Sequence, residues 1–188
     1  MSDGQLKTAL IITLLLFLAT LSAGWLWTVQ DPSMGENLKN MFEQQIAGQL
    51  NVDNPYEMSL NLFVNNLEAC ILLFLGGASL GIFTVFILSL NGIVIGAIVE
   101  IVRHEHSWAF VGAAIIPHGI FEIPAFIIAG AIGLILTRSF LTEWHGIGDM
   151  ADDAHRLGRI FATYVLPLVA VAAFVEAFIT PAVIQLVI

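Results

Sequence analysis

Charge is scarce in this sequence: only 11% of its 188 residues are Asp, Glu, Lys or Arg, against roughly 25% in ordinary soluble domains. Lys and Arg together number six, and the formal net charge is −9. That excludes a nucleic-acid binder, which needs clustered cations to neutralise phosphates. A single cysteine excludes an internal disulfide, and its place in an apolar run makes Cys70 a small buried hydrophobe. Catalytic signatures are missing too. There is no GxSxG elbow and no HExxH pair, and Gly76 to Gly81 lacks the lysine and the preceding strand of a phosphate loop. No enzyme activity, cofactor or metal site is therefore expected. The histidines of His104-Glu105-His106 and the acid between them do not share one helix face, and structural zinc takes four ligands.

What the chain does have is long apolar runs. Hydrophobic residues make up 58% of it, and the mean hydropathy is +0.90, so too few polar groups remain to cover a water-facing surface. The expected fold is all-α, a single polytopic bundle of about five transmembrane helices over residues 1–188. Thr8 to Val29 carries no charge and meets the ~20 residues needed to cross a ~30 Å hydrocarbon core. It exceeds the ~7–15 apolar residues of a signal peptide and has no small-residue cleavage site after it, so it reads as a retained span. Residues 58–102 are broken only by Glu68 and Glu100. A straight helix of that length would reach about 68 Å, so the chain must turn back, either at Gly76-Gly77 through Gly81 or at Asn91-Gly92. The first choice gives spans of about 59–76 and 79–102. A fourth span over about 107–137 holds Pro117 and Pro124, each removing a backbone donor, and should be kinked or split. A polar loop follows to about residue 157, and a last span covers 160–187 with Pro167 and Pro181 bending its ends.

Between the first two spans, Leu38, Met41, Phe42, Ile46 and Leu50 recur at helical spacing. An amphipathic, extracytoplasmic helix is expected over about 33–51, resting on lipid or on the bundle. Residues 30–57 are then the largest external surface for a membrane or extracytoplasmic protein partner. Lys7, Arg138, Arg156 and Arg159 would lie inside if the N-terminus is cytoplasmic, against Lys39 and Arg103 outside, which favours that orientation in the cell membrane. Pairs of glycines four apart, Gly77/Gly81 and Gly92/Gly96, offer close helix-packing faces. Together with Ala129/Gly133 they suggest a homo-oligomer in contact with membrane lipids.

Ionisable and amide groups within spans are costly and tend to mark function. Here they are Asn65, Asn66, Glu68, His118, Glu122 and Glu176. His118 and Glu122, four apart, share a helix face between the two prolines. Such a pair can relay a proton, hold a cation or hydrogen-bond across the bundle. Glu176 is a cross-helix partner for His118 or Asn65, and if it shares a site with Glu122, one of the two carboxyls is expected to carry a proton. Glu68 lies three residues after Asn65 and on its face.

Several of these residues carry a resemblance. Asn65-Asn66-Leu67, Gly76 to Gly81, Asn91-Gly92 with Gly96, the segment Pro117-His118-Gly119-Ile120-Phe121-Glu122-Ile123-Pro124-Ala125, and Glu176 with Thr180-Pro181 together resemble the stage II sporulation protein M family. The resemblance covers most of the chain from about residue 60, plus the first span, and the HGIFEIPA segment is its most specific part. It implies a polytopic membrane protein. In endospore-forming bacteria the named member anchors a cell-wall hydrolase complex as a scaffold, and relatives occur widely in bacteria and archaea that make no spores. This chain has no long soluble domain to grip a wall enzyme. The first expectation is a non-enzymatic scaffold or complex subunit held by a His118, Glu122, Glu176, Glu68 and Asn65 network. The alternative is a permease component passing an ion, proton or lipid-like substrate along His118 and Glu122. A dry, fully paired network favours the scaffold, and a cavity reaching His118 favours the permease.

Overall fold

The computed structural model describes residues 3–33, 35, 37 and 54–187. The amphipathic helix expected over 33–51, apart from residues 33, 35 and 37, and with it most of the partner surface over 30–57, lies outside the described residues. Seven α-helices are described: α1 (Asp3–Gln30), α2 (Pro55–Leu75), α3 (Ile82–Glu105), α4 (Trp108–Trp144), α5 (Met150–Ile160), α6 (Leu166–Phe178) and α7 (Thr180–Ile184). Among the described residues there is no strand. Five helical segments are long and apolar enough to cross a membrane, with α5 and α6 forming one of them through Met150–Phe178. Large apolar side chains point outward along them, among them Ile11, Leu15, Phe83, Phe86, Ile116, Ile120 and Phe174. An outward apolar face on every span is what a lipid solvent requires and what water would penalise. This is a multi-pass membrane protein.

Local chemistry sets where the helices start and stop. Asn54-Pro55 opens α2: the Asn54 side chain accepts from the backbone N–H of Tyr56 at 3.1 Å and of Glu57 at 3.4 Å, and Pro55 occupies the position where no donor is needed. Ser107 caps α4 through the N–H of Phe110 at 3.2 Å, and Asp149 caps α5 through those of Ala151 and Asp152. Between α2 and α3 the chain tightens into a 3₁₀ turn, Gly76–Ser79, then reverses through two left-handed residues, Leu80 (φ 59°) and Gly81 (φ 78°). The reversal thus falls at Gly76 to Gly81, and Asn91-Gly92 lies inside α3.

α4 is the central helix, the most buried of the spans, and it is not split. Helical structure continues through Pro117 and Pro124 from Trp108 to Trp144. Each proline removes one backbone hydrogen bond, and the remaining bonds of the 37-residue helix, with its burial against the other spans, keep it continuous. At 37 residues and ~1.5 Å each, α4 is about 55 Å long, far more than a ~30 Å core, so its C-terminal part extends beyond the hydrocarbon. The polar loop expected after residue 137 is accordingly a correction. Thr137–Trp144 continues α4 past the lipid, and Met150 onward is already helical. The break is short and sits at Gly146 (φ 75°) and Gly148 (φ 104°).

The last span carries two proline signatures. Just before Pro167 the helix widens into a π segment, Phe161–Val165, with the N–H of Leu166 donating to the carbonyl of Phe161. Before Pro181 it breaks at Ile179, and the buried Thr180 hydroxyl donates to the Val175 carbonyl at 3.3 Å. The span expected to continue to residue 187 therefore ends at Phe178, and the short α7 follows.

Contacts divide the bundle into two ends. At one, Leu6 and Ala9 of α1 pack with Ile135 and Leu136 of α4 and Leu157 of α5, and the turn at Gly77 lies against Gly133 and Leu136. At the other, Thr28 of α1 lies beside Glu100 and His104 of α3, and Tyr56 meets Phe178 edge-on at 5.2 Å. Lys7, Arg138, Arg156 and Arg159 belong to the first end and Arg103 to the second; Lys39 lies outside the described residues.

The glycines expected to form packing faces are spent inside the chain. A Cβ on Gly92 would stand 2.2 Å from the Thr20 hydroxyl, and one on Gly96 would stand 2.0 Å from the Leu21 carbonyl, so α1 and α3 touch backbone to backbone. Gly24 of α1 returns the contact at 2.1 Å from the Ile93 carbonyl. Gly77 would meet the Gly133 carbonyl at 2.1 Å, whereas Gly81 is a turn residue rather than a face. These stripes hold the protomer together, which removes them as the ground for self-association.

Candidate polar cavity at mid-depth

Four helices converge on one polar cavity of about 280 Å³. α2 contributes Asn65 and Asn66, α3 contributes Asn91, α4 contributes His118 and Glu122, and α6 contributes Glu176. Apolar walls come from residues such as Leu62, Ile95 and Ile115, and no Lys or Arg lines it. His118 and Glu122 stand 10 and 14 residues beyond Trp108. At ~1.5 Å per residue that is about 15 and 21 Å along the axis, the middle of a ~30 Å hydrocarbon slab.

The acid and base groups sit close together without being bonded. His118 Nε2 lies 3.9 Å from Glu122 Oε2, and each side chain is 15% exposed. This is beyond a hydrogen bond. One ligating atom from each of His118, Glu122 and Glu176 can be chosen so that all three lie within 4.8 Å of one another. His118 Nδ1 is buried and has no hydrogen-bond partner. No protein group pairs with that atom, so hydrogen bonds within the protein do not tie the three side chains into one network. Asn91 spends its Nδ2 on the Ile87 carbonyl at 2.9 Å, which leaves its amide oxygen as the end available to the cavity.

The cavity has a direction. Ile98 and Val102 of α3 and Ala114 of α4 extend the lining toward the end of the bundle that holds Arg103. Past Glu122 on the other side the interior closes. Phe17, Cys70, Leu73, Leu88, Ala125, Phe126, Val165 and Val169 form a dry core there.

Of the residues singled out in the sequence, Asn65, His118, Glu122 and Glu176 are brought together. Glu68 is not: it is exposed on the outer side of α2 and lines no part of the cavity. Asn65 and Glu68 are only about 60° apart around the helix axis, but Asn65 stands at the edge of the cavity and Glu68 falls just outside it. Pro117 and Pro124 flank the site without breaking the helix. Spacing in the sequence singled out no metal-ligand set, but the fold brings His118, Glu122 and Glu176 together with the residue types and the proximity that could hold an ion. Among the described residues this is the only such group, and the His104-Glu105-His106 corner forms none. Asn91 was read only as a turn residue. Its signal was present, since an amide inside a span needs a partner once the turn is assigned to Gly76 to Gly81.

A second polar cluster sits near the Arg103 end. The Trp25 indole N–H donates to Glu100 Oε2 at 2.7 Å, while Arg103 donates through Nε to the same oxygen at 2.7 Å and through Nη2 to Oε1 at 2.5 Å. Glu100 is 5% exposed, and Arg103 also lies over the Trp108 ring at 5.7 Å. In contrast to His118, this carboxylate is fully engaged, and its role is to lock α1 to α3.

Comparisons with known proteins agree with this architecture. The family model described as Stage II sporulation protein M matches residues 13–181. Uncharacterized protein MJ0793 of Methanocaldococcus jannaschii is 25% identical over 181 residues, covering 94% of this chain and 96% of that protein. Uncharacterized protein MJ0706 of the same organism is 28% identical over 111 residues, 57% of this chain and 48% of that protein. No solved structure matches.

Proposed function

The chain belongs to the stage II sporulation protein M family, and from that premise we propose that it works as a non-enzymatic membrane permease component that takes a small polar or charged species into the cavity at His118. The observation that carries this reading is a cavity at mid-membrane that reaches an imidazole and two carboxyls left without hydrogen bonds to one another. A scaffold needs a paired interior, and unpaired polar groups there only weaken it. A binding path needs polar groups left free for the ligand.

With the cation-rich end inside, the N-terminus is cytoplasmic and the cavity opens to the extracytoplasmic side of the cell membrane. The dry core around Phe126, Leu88 and Val169 then seals the cytoplasmic side. Passage requires that seal to yield. The π segment Phe161–Val165 ahead of Pro167 is the natural place for α6, which carries Glu176, to bend relative to α5.

The test is flux in proteoliposomes, with protons followed by an interior pH dye and divalent cations by an interior chelating dye. Glu122→Gln is expected to remain helical and monodisperse and to lose at least about 90% of the flux, because the amide keeps the shape but not the charge. A wild-type protein with no flux of either kind, paired with a Glu122→Gln protein that dissociates or aggregates, would return the reading to a scaffold held by its polar interior.

A further inference from the structure

We propose that His118, Glu122 and Glu176 form a binding site for a divalent first-row transition cation such as Mn²⁺, Fe²⁺ or Zn²⁺. The inference rests on the permease reading above and names the class of species that the cavity takes.

Four observations lead to it. The first is proximity: one ligand atom from each of the three side chains can be found within 4.8 Å of the others. In a tetrahedral site with ~2.1 Å bonds, neighbouring ligands are about 3.4 Å apart, so side-chain rotations of about an ångström close the site around an ion. The spacing helps, since His118 and Glu122 lie one turn apart on α4 and Glu176 approaches from α6.

The second is charge. When ionised, the two carboxyls repel one another, and no lysine or arginine on the cavity walls offsets their charge. A dication with a neutral imidazole brings the sum to zero. The third is ligand type. Mg²⁺ and Ca²⁺ take oxygen ligands, whereas an imidazole beside carboxylates suits first-row transition ions. Asn65, Asn66 and Asn91 around the same cavity can supply neutral amide oxygens to complete the shell.

The fourth is His118 itself. Its Nδ1 is buried with no partner, and its Nε2 is too far from Glu122 to hydrogen-bond. A buried nitrogen without a protein partner is rare, and a bound species is one of the ways such an atom is satisfied.

The measurement is a titration of the purified full chain in detergent with Mn²⁺ and with Zn²⁺, followed by desalting and metal counting, with X-ray absorption on the zinc-loaded protein. One ion per chain is expected, with an imidazole in its coordination shell. His118→Gln and Glu176→Gln are each expected to weaken binding at least about 100-fold, a larger loss than removal of a residue behind the ligands produces. Should either fail to fold, Glu122→Asp keeps a carboxylate and is expected to bind more weakly while retaining the imidazole signature. Folded wild type that retains no ion overturns the proposal. So does an ion whose affinity and spectrum are unchanged in His118→Gln, because it is then held elsewhere. The two readings separate cleanly: Glu122-dependent proton flux without metal binding sinks the cation site and leaves the permease, whereas a tightly held ion without any flux leaves the site and sinks the permease.

Discussion

Gly96→Val is expected to lower stability by on the order of 3 kcal/mol, at the upper end of what overpacking costs, and to reduce the yield of folded protein sharply. The reason is geometric. A Cβ at position 96 would lie 2.0 Å from the Leu21 carbonyl and 2.8 Å from the Trp25 nitrogen. Both are backbone atoms of α1 and neither can rotate away, so the helix must retreat by about an ångström along its length. That movement opens the contacts at Gly92 and Gly24 as well, because the three glycines share one seam. In lipid there is little hydrophobic drive between helices, and close packing carries the association. The control is Gly158→Val, in a helix where nothing lies within 4 Å of the added carbon; it should change stability by less than about 1 kcal/mol. Thermal aggregation curves of the two variants in the same detergent measure the difference.

Arg103→Met should lower thermal stability measurably, though by less than the breaking of a fully buried pair. The discount reflects Arg103, whose side chain is 33% exposed while that of Glu100 is 6% exposed. Without the guanidinium, Glu100 keeps only the Trp25 N–H and becomes a buried, uncompensated charge. Adding Glu100→Gln to Arg103→Met should recover most of the loss, since an amide can still accept from Trp25 and no charge is stranded. A double-mutant cycle in thermal stability reads this directly, and additive losses would show that the pair does not act as a unit.

Most of the membrane architecture was legible in the sequence, because the length of an apolar run and the cost of an unbonded backbone in lipid leave few alternatives. The turn at Gly76 to Gly81 was one of two choices that length permits, and left-handed backbone at Leu80 and Gly81 distinguishes it from Asn91-Gly92. The segment after Thr137 misled because polarity was read as loop. A helix that leaves the bilayer becomes polar without ending, and Thr137–Trp144 contains no glycine or proline to stop it. Of the two outcomes Pro117 and Pro124 allowed, a kink or a split, the continuous helix excludes the split.

For the site, composition pointed to His118, Glu122 and Glu176, but rotation about a helix axis could not be read without knowing which face of α2 is buried. That is why Glu68 was grouped with Asn65 although it falls just outside the cavity. Glu100 stood close to a presumed membrane boundary and gave no sign of its buried pairing. Its partner Trp25 lies 75 residues away, a separation that only the packing of α1 on α3 closes. The glycine stripes were recognised as packing faces, but sequence spacing cannot say whether such a face meets a neighbour in the same chain or in another.

The central claim is that water and its solutes reach the cavity beside His118, and site-directed thiol labelling in intact membranes tests it most directly. In a Cys70→Ala background, Ile98→Cys and Ala114→Cys place thiols on the cavity wall. Leu88→Cys places one in the dry core and Ile116→Cys one on the outward apolar face. A membrane-impermeant thiol reagent reacts only where water lets the thiol ionise. The account predicts labelling of the first two from one side of the membrane, with positions 88 and 116 inert. Cavity positions as unreactive as position 116 from both sides would contradict it.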